Sequence, residues 1–307
     1  MSDSYIRRVQ TVYVLVYLIM AGAGAAWMLS GEILGPIGTG NPLLQATAVT
    51  GLLALLSFVA GLITNDHSWT DRMWSIAPVG LAWLYAAAAD WDIRVVIAAC
   101  LITLWGVRLT LNFARRGGYS GVEDYRWKIL QKQTKSSLLW QLFHLTFIAG
   151  FQHFLFVAFT VPLYVLYLNA GQHPTIDFWA IAAAFLGFLV LETAADQQQW
   201  RFQQRKAAGV AHDDDVRRGF RTTGLFRYMR HPNYLGELGV WWCVYFWGAA
   251  SAGVFLHWSI AGPILLTILF IASTWFTERI TVSRYPEYPA YRRRTWAFIP
   301  KYWGKSS

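Results

Sequence analysis

The sequence predicts an all-α fold, a single polytopic membrane bundle of about eight transmembrane helices taking in residues 1–307 as one domain. Three observations lead there. The chain is 55% hydrophobic and 17% aromatic with only 14% charged residues over its 307 positions, too apolar for a water-soluble domain of ordinary composition. Its apolar residues fall in blocks of about twenty, the length that a hydrocarbon layer of roughly 30 Å demands of a crossing helix. Its basic residues fall between those blocks, concentrated in alternate gaps.

In chain order the blocks are 9–29, 44–63, 74–90, 93–112, 141–168, 176–199, 235–250 and 258–277. The first follows Arg7 and Arg8, is long for the core of a cleavable signal peptide and leads into no soluble domain, so it reads as a span. The third is short and the fifth long, which brackets the count at seven to nine. The seventh carries Glu237 near its start and is rich in tryptophan. Pro232 precedes it, and a residue that lacks an N–H and fixes its own φ suits the first turn of a helix. Cys100 and Cys243 both fall inside blocks, so no disulfide framework is expected. No internal repeat or low-complexity linker divides the chain.

Of the 26 lysines and arginines, 24 lie at the N-terminus, in the 64–73 loop, in the loops 113–137 and 200–234, and in the tail 278–307. The connections 30–43, 169–175 and 251–257 contain none. Both termini and the three long basic segments are therefore expected on the cytoplasmic side. The net charge of +9 follows from this distribution. Because the charge tracks the span boundaries, no nucleic-acid partner is expected.

Four constellations could carry chemistry. In "RYMRHPNYLGELGVWW", residues 227–242, Arg227, Arg230 and His231 flank a helix start whose open N–H groups and dipole favour an anion, above all a phosphate. The same residues would also serve as positive-inside anchors, with Tyr234 in an interfacial belt. Glu237, one turn on, costs at least about 2.5 kcal/mol if ionised in the bilayer without a partner. Its partner is either a neighbouring arginine or a ligand's hydroxyl or carboxamide. In "LETAADQQQWRFQQRK", residues 191–206, Glu192 and Asp196 share a helix face at i,i+4, with Arg201 and Arg205 further along. They read as partners of Gln199 or Arg201, or as the wall of an interior polar pocket.

The third stretch, "WGVRLTLNFARRGGYSGVEDYRW" (105–127), sets Arg108 inside a span and crowds Arg115, Arg116, Glu123, Asp124 and Arg126 into the following loop. Its glycines permit sharp turns, but they do not spell a G-x-G-x-x-G fingerprint, so a Rossmann domain is not expected. The tail "TERITVSRYPEYPAYRRRTWAFIP" (277–300) adds Glu278, Tyr288 and a triple arginine, compatible with an amphipathic interfacial segment. His144, Gln152 and His153 are isolated polar residues of the fifth block. No carboxylate or third histidine accompanies the histidines at ligand spacing, so no metal site is expected.

In combination, "GLFRYMRHPNYLGE", the 105–127 stretch, "LETAADQQQWRF" and "EYPAYRRRTWAFIP" resemble the bacterial DUF1295 membrane proteins, related to the steroid 5-alpha reductase family, over residues 60–302. More distantly, "RHPNYLGE" and Glu278 are similar to the isoprenylcysteine carboxyl methyltransferases. The first resemblance implies a helical bundle of the bacterial inner membrane whose cytoplasmic half binds NADPH and reduces the carbon–carbon double bond of an enone lipid or steroid-like substrate. Asn233 and Glu237 fall on the Asn and Glu of the reductase "N-F-L-G-E" motif that contacts the cofactor. Asp196 falls on a further acid, and Glu192 stands where the eukaryotic reductases have Asn.

The implied cofactor set is Glu192, Asp196, Arg201, Arg221, Arg227, Arg230, His231, Asn233, Tyr234, Glu237, Glu278 and Tyr288. Arg230, His231 and Pro232 replace small residues of the reductases. No "Q-E" pair that would polarise a ketone stands in the N-terminal half. The candidates for that role are Asp66, Asp71, Glu123 and Tyr125. The methyltransferase alternative implies S-adenosylmethionine, which carries no phosphate, so the eight basic residues between 200 and 234 favour NADPH. The alternative of another class is a non-enzymatic lipid-binding or transport protein, whose intramembrane acids line a path for protons or substrate.

Overall fold

The computed structural model describes residues 40–210 and 212–301, and every regular element among them is helical. The block 9–29 lies outside the described residues.

Helix α1 (Pro42–Thr64) starts where the Asn41 side chain accepts the Leu43 N–H and Pro42 takes the first position; it ends at Asn65 in the left-handed region, φ 52°. A short α2 (Trp69–Met73) and α3 (Ala77–Ala88) follow. Helix α4 (Ile93–Arg115) is capped by Asp92, whose carboxylate accepts the Arg94 and Val95 N–H groups. Helix α5 (Tyr125–Gln133) is capped by Asp124. Helix α6 (Ser137–Phe143), a π-helical stretch (His144–Phe151) and α7 (Gln152–Leu168) form one continuous rod. The remaining elements are α8 (Ile176–Ala207), α9 (Asp214–Arg218), α10 (Pro232–Ser251), α11 (Ala261–Arg284) and α12 (Tyr288–Arg294).

Five rods are long and apolar enough to cross a membrane: Pro42–Thr64, Ile93–Arg115, Ser137–Leu168, Ile176–Ala207 and Trp258–Arg284. They coincide with the second, fourth, fifth, sixth and eighth apolar blocks. The third block shrinks to α3, of 12 residues. The seventh becomes α10, which has the length of a span without the uniform apolarity, and its place in the bundle explains why.

Helix α10 is the central rod, packed against both α8 and α7, and 13 of its 20 residues are buried. A helix shielded from lipid by its neighbours can keep Glu237 and an asparagine. The rods around it show only a third or less of their span buried along α1, α4, α8 and α11, and they turn Leu52, Leu55, Leu111, Val190 and Ile268 outward. Helix–helix association among such rods rests on close packing and buried polar contacts. Gly236 and Gly239 supply the approach: a Cβ on either would stand within 2.5 Å of Glu192 or Phe188 on α8. Aromatic rings fill the rest, with Trp241 4.1 Å from Phe159 and 4.9 Å from Trp105 between centroids.

The basic segments interlock at one end of the bundle. Arg72 Nε donates to Gly118 O at 2.9 Å, Arg126 Nη1 to Ser273 Oγ at 3.0 Å and Lys206 Nζ to the Tyr285 hydroxyl at 2.7 Å. The tail folds back over the 200–234 segment. The Tyr291 hydroxyl donates to Phe226 O at 2.5 Å, and Arg230 and His231 each give a backbone N–H to the 296–297 stretch at 2.9 Å. Rather than an isolated amphipathic segment, the tail is the lid of the α10 start.

Candidate functional site

Three rods meet at a buried polar node below this basic end. Arg108 comes from α4, Glu192 and Asp196 from successive turns of α8, and Asn233 and Glu237 from successive turns of α10. The i,i+4 spacing on α8 and α10 puts each pair on one helix face, and the absence of a side chain at Gly236 lets the two faces touch. Arg108 Nη2 lies 2.5 Å from Glu192 Oε1 and 3.9 Å from Glu237 Oε2, and Nη1 lies 2.7 Å from Asp196 Oδ2. The guanidinium thus faces three carboxylates from two helices.

Neighbouring donors complete the node. Asn112 Nδ2 reaches Asp196 Oδ2 at 2.7 Å and Asn233 Nδ2 reaches Oδ1 at 3.4 Å. The indole N–H groups of Trp105 and Trp241 give to the two oxygens of Glu237 at 2.9 and 3.1 Å. Arg116 approaches Asp196 at 3.6 Å from a side chain 43% exposed. Two atoms remain buried without a partner, Arg108 Nε and Glu192 Oε2. The node therefore has hydrogen-bonding capacity that no residue satisfies, which is uncommon for buried polar groups.

A cavity of about 310 Å³ adjoins it between α4 and α8, lined by Leu104, Val107, Arg108, Leu111, Asn112, Arg115, Thr193, Asp196 and Gln197. Toward the basic end Arg115 bridges Asn112 Oδ1 and Gln197 Oε1, at 2.6 and 2.7 Å, and Arg201 follows one turn beyond Gln197 on the same face, exposed. Polarity runs from carboxylates inside to guanidinium groups outside.

Other residues singled out from the sequence lie apart from the node. Glu278 accepts Arg230 Nε at 2.6 Å, pairs with His231 Nε2 at 2.8 Å and with Arg292 Nε at 3.4 Å. Arg230 and His231 are thus engaged by a carboxylate within the chain, and His231 makes no side-chain cap for α10. Tyr288 is buried beside Glu278, and burial raises its phenol. Tyr234 stacks on His231 at 5.1 Å. Arg221 Nη1 donates to Gln198 O at 2.8 Å, while Arg227 is exposed.

Of the four candidates for polarising a carbonyl, none lines the cavity. Asp66 pairs with Arg72 at 2.6 Å and accepts the Ser68 N–H. Glu123 accepts both the backbone N–H and Nδ1 of His67 at 3.0 Å. Glu123 thereby holds the 64–73 loop to the 113–137 loop, and Asp66 fixes the Arg72 guanidinium that reaches Gly118. Tyr125 is 48% exposed. Asp71 is half-buried beside the Trp127 indole, which donates at 2.8 Å. Burial, reinforced by Asp124, pushes its carboxyl up to about 6. His144 packs against His67, and His153 contacts Ser57 and the Ala149 carbonyl. Among the described residues no group of three or more potential metal ligands occurs.

Sequence reasoning singled out Arg108 inside its span without assigning it to the site, and left Asn112, Trp105 and Trp241 out. An arginine inside an apolar block was the available signal, since such a charge needs an interior partner. The two indoles sit in a sequence with 17 tryptophans and carried no distinguishing mark.

Residues 57–295 match the family model described as protein of unknown function (DUF1295). An uncharacterized protein of Schizosaccharomyces pombe is 35% identical over 282 residues, which cover 82% of this chain and 79% of that protein. No solved structure matches the chain.

Proposed function

The chain belongs to the DUF1295 family, and from that premise we propose that it is an integral-membrane, NADPH-dependent reductase of the carbon–carbon double bond of an enone-type lipid or steroid-like molecule. The carrying observation is the meeting of Asp196, Asn233 and Glu237 around Arg108, with Arg108 and Asp196 lining a cavity. Carboxylates accept hydrogen bonds from ribose hydroxyls, and a carboxylate beside an asparagine matches both halves of a carboxamide. The resemblance of the 227–242 motif to the reductases points the same way.

For the phosphates the donors are Arg116, Arg201, Arg221 and Arg227, because Arg230 and His231 are held by Glu278. When bound, the dinucleotide supplies a hydride. The chain's part is to orient it, exclude water and neutralise charge, with the cavity's Leu104, Val107 and Leu111 contributing an apolar wall. In this reading the bundle has eight spans with both termini in the cytoplasm, and the interlocked basic end faces the soluble cofactor pool.

The test is NADPH consumption by detergent-purified protein offered enone lipids, with the saturated product followed by mass. Consumption coupled to a gain of two hydrogens supports the reading; transfer of a methyl group from S-adenosylmethionine to the lipid instead would replace it. One observation favours that second reading. A node with more carboxylates than guanidinium groups suits a sulfonium cation, and the engagement of Arg230 and His231 removes two phosphate donors.

A further inference from the structure

Glu192, Asp196 and Glu237 face one interior guanidinium, that of Arg108. The other cations near the node, Arg115 and Arg116, stand at its outer edge, and only Arg116 reaches a carboxylate, Asp196. Three negative charges against one positive charge in a dry interior are costly. Asp196 is supplied by Arg108, Asn112, Asn233 and Arg116. Glu237 has an indole donor on each oxygen. Glu192 differs, for Oε1 takes Arg108 while Oε2 is buried with no donor. Yet Glu192 Oε1 and Glu237 Oε2 converge on the same Arg108 nitrogen, at 2.5 and 3.9 Å, and Gly236, next to Glu237, abuts the Glu192 Cβ. Two ionised groups there would set acceptor against acceptor; one proton converts the contact into an O–H···O bond and satisfies the orphaned oxygen.

We propose that Glu192 and Glu237 share one proton, carried on Glu192 Oε2, as a carboxylic acid–carboxylate pair in the middle of the bundle. Its role rests on the reductase reading. Hydride addition to the β-carbon of an enone moves the double-bond electrons toward oxygen and leaves the α-carbon in need of a proton. Glu192 does not line the cavity, so its proton reaches that carbon through Asp196, which does: Glu192 gives up its O–H proton as Asp196 delivers one to carbon, and the new Glu192 carboxylate remains paired with Arg108, whose Nη2 lies 2.5 Å away. Water at the basic end then restores the proton.

The experiment is infrared spectroscopy of the purified full-length protein at pH 8, where Asp71, at about 6, is ionised. A protonated-carboxyl C=O band that shifts in D₂O is expected in the wild type and is expected to be lost in both Glu192→Gln and Glu237→Gln. Absence of the band from the wild type overturns the proposal whether or not either variant folds. So does a band that survives both substitutions, or a stoichiometric metal ion found by elemental analysis, which would take the proton's place. NADPH titration on the same sample separates the two ideas. A band without nicotinamide binding keeps the shared proton and removes the reductase role, whereas binding without a band does the reverse.

Discussion

Arg108 and Glu192 are 84 residues apart in the chain and 2.5 Å apart in the bundle. Their hydrogen bond fastens α4 to α8 and, through Glu237, to the central α10. An interior charge that holds three rods together has a large effect when removed and little tolerance for a change of shape.

Replacing Arg108 with leucine is therefore expected to destabilise the protein by about 3–5 kcal/mol, because Asp196 and the single negative charge shared by Glu192 and Glu237 lose their buried cation. Thermal melting in detergent measures this. Arg108→Lys should fall between wild type and leucine, since an ammonium cannot contact both acids as a fork. In a Glu192→Gln background the leucine substitution should cost less.

Gly236→Ala places a methyl group 2.5 Å from the Glu192 Cβ and 2.9 Å from its Cα. The backbones of α8 and α10 have to separate, at a cost of about 1–3 kcal/mol. Because Trp105 and Trp241 donate to Glu237 beside this contact, a lowered melting temperature should come with a changed tryptophan emission.

Glu278→Gln removes the anion that holds Arg230, His231 and Arg292. The expected loss is on the order of 3 kcal/mol, concentrated in the tail lid. Limited proteolysis should then cut faster among Arg284, Arg292, Arg293 and Arg294, while the node around Arg108 stays protected.

Asp71 gives a pH dependence of defined sign. Its carboxyl sits at about 6 in the fold against 3.8 as a free group, chiefly through burial. Between those values the folded state binds more protons than the unfolded state, so stability falls as pH rises from about 4 to about 6 and then levels. The span corresponds to on the order of 3 kcal/mol. Asp71→Asn should remove this slope and raise the melting temperature at pH 7.5, which parallel melts of the two proteins across pH 4–8 would show.

Much of the bundle was legible in the sequence because a membrane imposes one length scale and one charge rule. Blocks at 44–63, 93–112, 141–168, 176–199 and 258–277 each contain or nearly fill a rod that the structure shows. The ends of α1 and α4 were less legible, since their caps are set by the single residues Asn41 and Asp92. For α10, an apolar run marked the helix, but its central position depends on contacts with α7 and α8 that no local pattern encodes.

The site was legible where spacing is local and obscure where partners come from afar. Glu192 with Asp196, and Asn233 with Glu237, are single-turn pairs, and each lands on the node. The arginine that joins them lies on a distant helix. Conversely, Arg230 and His231 looked free beside a helix start because Glu278, 48 and 47 residues on, is brought to them by the folding back of α11.

The most direct test of the account is calorimetric titration of the detergent-purified protein with NADPH and, separately, with S-adenosylmethionine. Saturable NADPH binding that weakens at least about tenfold in Asn233→Ala, a loss of about 1.4 kcal/mol, is the expected result. Saturable S-adenosylmethionine binding with no response to NADPH would contradict it.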